Sequence, residues 1–249
     1  MSIRNTAPAL LFVLALCCAS PARTAGQHWS YREHGGAAKW GELDRSFATC
    51  KLGKLQSPID IRAARPADLP AIKFDYKPSP LRIIDNGHTI QVNYAPGSSI
   101  DVGGVRYALV QFHFHQPSEE KIDGKAHAMD VHLVHKGADG KLAVVAVLLD
   151  KGNMNPMIGS IWKNLPKEKE KEAVIDATVD AAELLPANKG YFTYQGSLTT
   201  PPCSEEVRWF VLKNPVMISK SELAAFGKRY PMNARPTQPL NGRTIQATR

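Results

Sequence analysis

The 249 residues carry 31 lysines and arginines against 23 aspartates and glutamates, a formal charge of +8, with 43% hydrophobic and 22% charged side chains. That is the balance of an ordinary soluble globule, long enough to bury a substantial core and short enough for one domain, or two at most. The basic excess is scattered, and residues 163–172 alternate in sign, so no nucleic-acid patch is expected.

Only the N-terminus departs from this pattern. Arg4 precedes an unbroken apolar run at 9–19, followed by small residues around Ala22 and Ala25. A secretory signal peptide over residues 1–22 is expected, with cleavage between 22 and 25, and the run is too short for a membrane span. Export to the periplasm or beyond follows, and no membrane span is expected elsewhere. Loss of this segment removes Arg4 alone from the charge count. It also removes Cys17 and Cys18 and leaves Cys50 and Cys203. Two cysteines in an oxidising compartment form one disulfide, the alternative being two separate buried thiols.

Along the chain, 27–40 reads as an irregular arm rich in aromatic residues, histidine and glycine. The stretch 56–61 turns and then extends. Extended runs follow at 81–84, 89–93, 100–102, 106–114, 129–135 and 142–149, separated by Asn86-Gly87, Pro96-Gly97, Gly103-Gly104, Asp123-Gly124 and Asp139-Gly140. The run 142–149 is apolar on both faces, which marks a central strand. Helices are expected at 157–164, 167–174 and 220–226, the last capped by Ser219. Strand character returns at 191–194 and 207–212. The fold class is therefore mainly β (α+β): one domain over 27–246, with a large twisted, mostly antiparallel central sheet and a few short peripheral helices.

Chemistry concentrates in Gln111-Phe112-His113-Phe114-His115 and Asp130-Val131-His132-Leu133-Val134-His135. In a strand, successive side chains face opposite ways, so Gln111, His113 and His115 share a face, as do Asp130, His132 and Val134. If the two runs pair, three histidines converge. Three imidazoles with one open position describe a catalytic zinc site. Gln111 and Asp130, each two residues before a candidate ligand and on its face, are placed to take its spare ring N–H. A half-buried sheet histidine with no ligand role is the bland reading of either run, and the surroundings decide.

A second signature stands at Ser197-Leu198-Thr199-Thr200-Pro201-Pro202-Cys203. With the two histidine runs, Gln56–Ile61, Asn86-Gly87-His88 and Asn233–Leu240, it resembles the alpha-class carbonic anhydrases, specifically the exported bacterial type, from about His28 to Arg243 in the family's motif order. The resemblance implies a zinc enzyme that hydrates carbon dioxide reversibly to bicarbonate and a proton. His113, His115 and His132 match its zinc ligands. Gln111, Asp130 and the carbonyl of Asn233 match the groups that orient them. The family nucleophile is hydroxide on zinc, for which carbonic anhydrases are the standard illustration.

Thr199 matches the residue that orients this nucleophile by donating to Glu119. Val134, Val144, Leu198, Val207 and Trp209 match the apolar wall for CO2, and Thr200 a bicarbonate contact. His88 matches the proton shuttle, with Tyr31, Asn86 and Gln91 holding relay waters. The Ser57-Pro58 and Pro201-Pro202 bonds match family bonds that are cis. Sulfonamides and small anions are the implied inhibitors, and a homodimer is an option by analogy.

Two departures stand out. Asp130 occupies a position usually held by Glu and, being one methylene shorter, is expected to reach His132 poorly or through water; Glu206 replaces a small residue and is expected to face solvent. Two other classes compete with this one. A non-catalytic binding module of this fold would have lost a zinc histidine, and a cupin-like oxygenase would show a carboxylate ligand soon after His-x-His.

Overall fold

Strands of alternating polarity build one large sheet. The computed structural model describes residues 28–249; the expected signal peptide, 1–22, lies outside them. The spine consists of β1 (Ser79–Asp85), β2 (Ile90–Asn93), β3 (Val105–His115), β4 (Met129–Gly137), β5 (Leu142–Lys151), β6 (Ala173–Val179), β7 (Tyr191–Ser197) and β8 (Glu205–Leu212). They belong to a 13-stranded sheet in the spatial order β6-β1-β2-β3-β4-β5-β8-β7, extended by Gln246–Thr248 and Arg65–Ala67. Neighbours along the spine are antiparallel except β5 and β8, which run parallel. The expectation of a mainly β, mostly antiparallel single domain is met.

The alternation sorts side chains between two cores. Phe112 and Phe114 of β3, Val131 and Leu133 of β4, and Val145, Val147 and Leu149 of β5 enter one cluster. Helices α1 (Pro156–Lys163) and α2 (Lys220–Gly227) cover it with Ile158, Ile161, Leu223 and Phe226. Val144, Ala146 and Leu148, the intervening residues of β5, enter the second cluster with Val207 and Trp209. A strand with both faces buried is continuously apolar, which is why β5 shows no alternation. Asn155 caps α1 by accepting from Ile158 N–H, and Ser219 caps α2 in a capping box with Glu222. Among the described residues no helix is long and apolar enough to cross a membrane.

One expected helix is absent. Residues 167–172 are irregular and Ala173 opens β6, whose burial alternates residue by residue. Tertiary pairing with β1 overrides the helical propensity of the Lys/Glu run: Glu172 pairs with Arg82 at 2.6 Å and accepts from Asn93, while Glu170 N–H donates to the carbonyl of Asp85. The arm contains a 3-10 turn at Glu33–Gly35, and short helical turns follow it at Trp40–Leu43 and Thr49–Leu52. The peptide bonds before Pro58, Pro117 and Pro202 are cis. Glu206 is exposed, as expected, and is the extra residue of a bulge where β8 meets β7, with φ +69°.

Cys50 and Cys203 form the expected disulfide, 153 residues apart, in a buried cluster with Trp40. It ties the helical turn Thr49–Leu52 to the loop carrying Thr199 and Thr200, where Cys203 N–H donates to the Thr200 carbonyl. Closing so long a loop restricts the unfolded chain, so the double variant Cys50→Ser/Cys203→Ser is expected to lose about 2–5 kcal/mol in urea denaturation. An unchanged midpoint would show that the bridge constrains nothing that unfolding releases.

Candidate metal centre

The pairing of β3 with β4 puts His132 directly opposite His113, with Asp130 opposite His115. Because side chains alternate, His113, His115 and His132 leave the sheet on one face while Phe112, Phe114, Val131 and Leu133 leave on the other. One nitrogen from each ring falls within 4.8 Å of the other two. That spacing suits a single ion.

The remaining nitrogens decide which atoms face inward. His113 Nδ1 donates to Gln111 Oε1 at 2.8 Å, and His115 Nδ1 to the carbonyl of Asn233 at 2.8 Å. Nε2 of each is thereby left bare, and His115 Nε2 is buried without a hydrogen-bond partner. A buried imidazole nitrogen left unsatisfied beside two others is the donor set of a metal site. In His132 the roles are reversed: Nε2 lies 3.3 Å from Glu120 and 3.3 Å from Asp130, leaving Nδ1 for the ion.

Electrostatics point the same way. Burial holds His113 well below its usual pKa, and pushes His115 down to about 4, the other rings adding to both shifts. Both are neutral, as ligands must be. Burial also works against charge on His132, yet Asp130 and Glu120 outweigh it and hold that ring well above its ordinary value. The acidic surroundings favour positive charge at this point.

Glu119 lies beside the rings, its Oε2 3.6 Å from His115 Nε2. Burial pushes its carboxyl up to about 8, with Asp130 adding to the rise and His132, the Arg235 N–H and the nearby Thr199 opposing it. The Arg235 N–H reaches Oε1 at 2.7 Å. Thr199 is buried and Thr200, its neighbour, lines the cavity. The apolar residues Val134, Val144, Leu198, Val207 and Trp209 pack in one cluster, and the Trp209 ring stands edge-on to His132 at 4.9 Å.

The cavity above the rings has a volume of about 120 Å³ and is lined by Tyr31, Asn86, His88, Gln91, Gln111, His113, His115 and Thr200, with Trp29 and Thr89. It is smaller than the several hundred Å³ of a typical pocket for larger ligands, and suits a triatomic substrate with a few waters. Asn86, with φ +84° at Gly87, shapes the turn that presents His88: its Oδ1 accepts the N–H groups of His88 and Thr89. Only glycine takes that φ without penalty. Asn86 Nδ2 donates to Gln91 at 3.3 Å.

The pattern of the sequence did not single out Trp29, on which His88 stacks at 3.6 Å between ring centres. Nor did it single out Arg235 or Glu120. The adjacency of Glu120 to Glu119 was its one visible sign, and it read as a charged turn. His135, the fourth histidine of the two runs, is buried outside the trio, with Nε2 2.8 Å from Tyr76 O–H.

A sheet-borne trio of buried imidazoles beside a small cavity is a candidate mononuclear metal centre. The family model for eukaryotic-type carbonic anhydrase matches residues 35–249. A carbonic anhydrase of Nostoc sp. is 43% identical over 92% of this chain and 89% of its own length. A hyperthermostable carbonic anhydrase from a hydrothermal vent chimney superposes with a TM-score of 0.87 at 46% identity, covering 89% of this chain and all of that one. The alpha-carbonic anhydrase of Thermovibrio ammonificans, solved with the inhibitor sulfanilamide, gives 0.86 at 40% identity over 90% of this chain and all of that one. The chain belongs to the alpha carbonic anhydrase family, which sets the cupin-like reading aside.

Replacing His113, His115 or His132 by Ala is expected to abolish tight zinc uptake in a chelator competition. His135→Gln should keep it and lose about 1–3 kcal/mol of stability through its buried polar contact. Zinc loss in His135→Gln matching that of the trio would contradict the assignment.

Proposed function

We propose that this chain catalyses CO2 + H2O ⇌ HCO3− + H+ at a zinc ion held by His113, His115 and His132. The observation that carries the reading is the convergence of one bare nitrogen from each ring, while each opposite nitrogen is engaged elsewhere. When bound, zinc supplies a Lewis acid that makes water nucleophilic at neutral pH.

The protein's own groups do the rest. Gln111 and the Asn233 carbonyl orient His113 and His115, and Asp130 stands 3.3 Å from His132 Nε2. Thr199 has one hydroxyl proton to donate; a hydrogen bond from it to Glu119 leaves a lone pair to accept a hydrogen bond from the attacking water, which aims that water's own lone pair at carbon. Val134, Val144, Leu198, Val207 and Trp209 form the wall against which CO2, apolar and without a handle for an ion pair, is held. Thr200 contacts the bicarbonate product.

His88 carries the released proton outward through waters held by Tyr31, Asn86 and Gln91. Burial lowers its pKa, aided by His28 and Lys169 and opposed by Glu170. Its neutral, proton-accepting form therefore persists to lower pH than in a free imidazole.

Sulfonamide binding is supported by the sulfanilamide complex of the Thermovibrio relative. Export is supported by the disulfide and by the N-terminal sequence pattern, with residues 1–22 as the leader.

Stopped-flow CO2 hydration by the purified mature protein tests the reading: activity should vanish on chelation and return with one equivalent of zinc. Zinc-replete protein inert toward CO2 would overturn it. His88→Ala should lower turnover in dilute buffer by up to about 100-fold, restored by added imidazole. In the wild type the shuttle-limited limb should have its midpoint below the usual histidine pKa of about 6.5. Unchanged turnover in His88→Ala would remove the shuttle role.

A further inference from the structure

We propose that Glu120 is a positioning residue for the third ligand: it accepts the Nε2 proton of His132 and keeps Nδ1 bare and aimed at the metal. The proposal rests on the zinc reading above and concerns a side chain to which that reading gives no role.

Two carboxylate oxygens lie equally close to His132 Nε2, Glu120 Oε2 and Asp130 Oδ2, each at 3.3 Å. Direction separates them. The ring N–H meets Glu120 Oε2 with hydrogen-bond geometry, while Asp130, at the same distance, acts on the ring mainly through its charge. Asp130 Oδ2 is already committed, accepting the Glu119 N–H at 2.8 Å. With one methylene fewer than Glu, Asp130 holds the backbone beneath the site and reaches the ring only obliquely. The longer Glu120 closes the gap from the loop after β3.

Glu120 is itself built in. It is fully buried, and Tyr194 O–H donates to its other oxygen at 3.3 Å. Tyr194 is held in turn by Ser57 Oγ at 3.3 Å and by stacking on Trp209, whose ring edges His132. Ser118 O–H donates to the Glu120 carbonyl at 2.8 Å, and Lys121 begins a strand paired with Asp60–Ile61, so the backbone is fixed on both sides. A carboxylate buried this deeply needs a charged or hydrogen-bonding partner. Tyr194 satisfies one oxygen, and the imidazole of His132 satisfies the other.

Outer acceptors of a ligating histidine fix its tautomer and ring orientation, and their loss costs about 10–100-fold in metal affinity. Zinc release to a chelator and the ring N–H signals of 15N-histidine-labelled protein, read with and without zinc, test the proposal in Glu120→Gln, Asp130→Asn and Tyr194→Phe. Glu120→Gln should speed zinc release about 10–100-fold and shift the His132 Nε2–H signal, leaving those of His113 and His115 in place. Asp130→Asn should do less on both counts. Tyr194→Phe removes one hydroxyl and neither carboxylate; it should move the same His132 signal, and it serves if Glu120→Gln does not fold.

An unmoved His132 signal in Tyr194→Phe or in Glu120→Gln, or a larger effect in Asp130→Asn than in Glu120→Gln, would overturn the proposal. So would two metal ions per chain, because Glu120, Asp130 and His132 also lie close enough to be ligands themselves. If the wild type takes up no zinc, the functional reading fails, while the ring signal of the metal-free protein still reports on Glu120.

Discussion

The antiparallel register between β3 and β4 is the constraint on which the centre depends. With His132 opposite His113, three rings meet above the sheet and four apolar side chains meet below it. A slip of one residue would turn His132 into the lower core and Val131 or Leu133 toward the cavity, so the greasy face and the polar face enforce each other. Phe112 and Phe114, both fully buried on the face opposite Gln111, His113 and His115, lock that choice by packing. The metal site is thus a by-product of core formation on the opposite face, and the sheet supplies a rigid base for it.

Charge is arranged around that base in a consistent way. Two rings are kept neutral by burial, and the third sits among carboxylates that favour a cation. Glu119, Glu120 and Asp130 are all buried, a concentration of acid that an empty apolar interior would not tolerate. Their presence makes sense only with positive charge nearby. Asn233 links this centre to the turn that carries His88: its carbonyl holds His115, its side-chain oxygen accepts the Gln116 N–H, and its amide donates to the carbonyls of His88 and Phe114.

Much of this was legible in the sequence because strands advertise themselves by period two. The face shared by Gln111, His113 and His115 follows from alternation alone, and so does the continuous burial of β5. Spacing could not show which carboxylate His132 would use, since Glu120 comes from a loop whose path depends on its packing against Tyr194. Nor could it show that the charged run 167–172 would abandon its helical propensity to pack behind the turn that carries His88. There the deciding partners, Arg82, Asn93 and the Asp85 carbonyl, are some 80 residues away in the chain. The stacking of His88 on Trp29 was hidden for the same reason: the arm has no periodicity to mark which aromatic ring folds back over the site.

Anomalous diffraction at the zinc edge on crystals of the metal-loaded protein tests the central claim most directly. One zinc per chain, bound by nitrogens of His113, His115 and His132 and by no carboxylate of the protein, is the predicted result. A metal held by Glu120 or Asp130, or rings of β3 and β4 that fail to share one ion, would contradict the account.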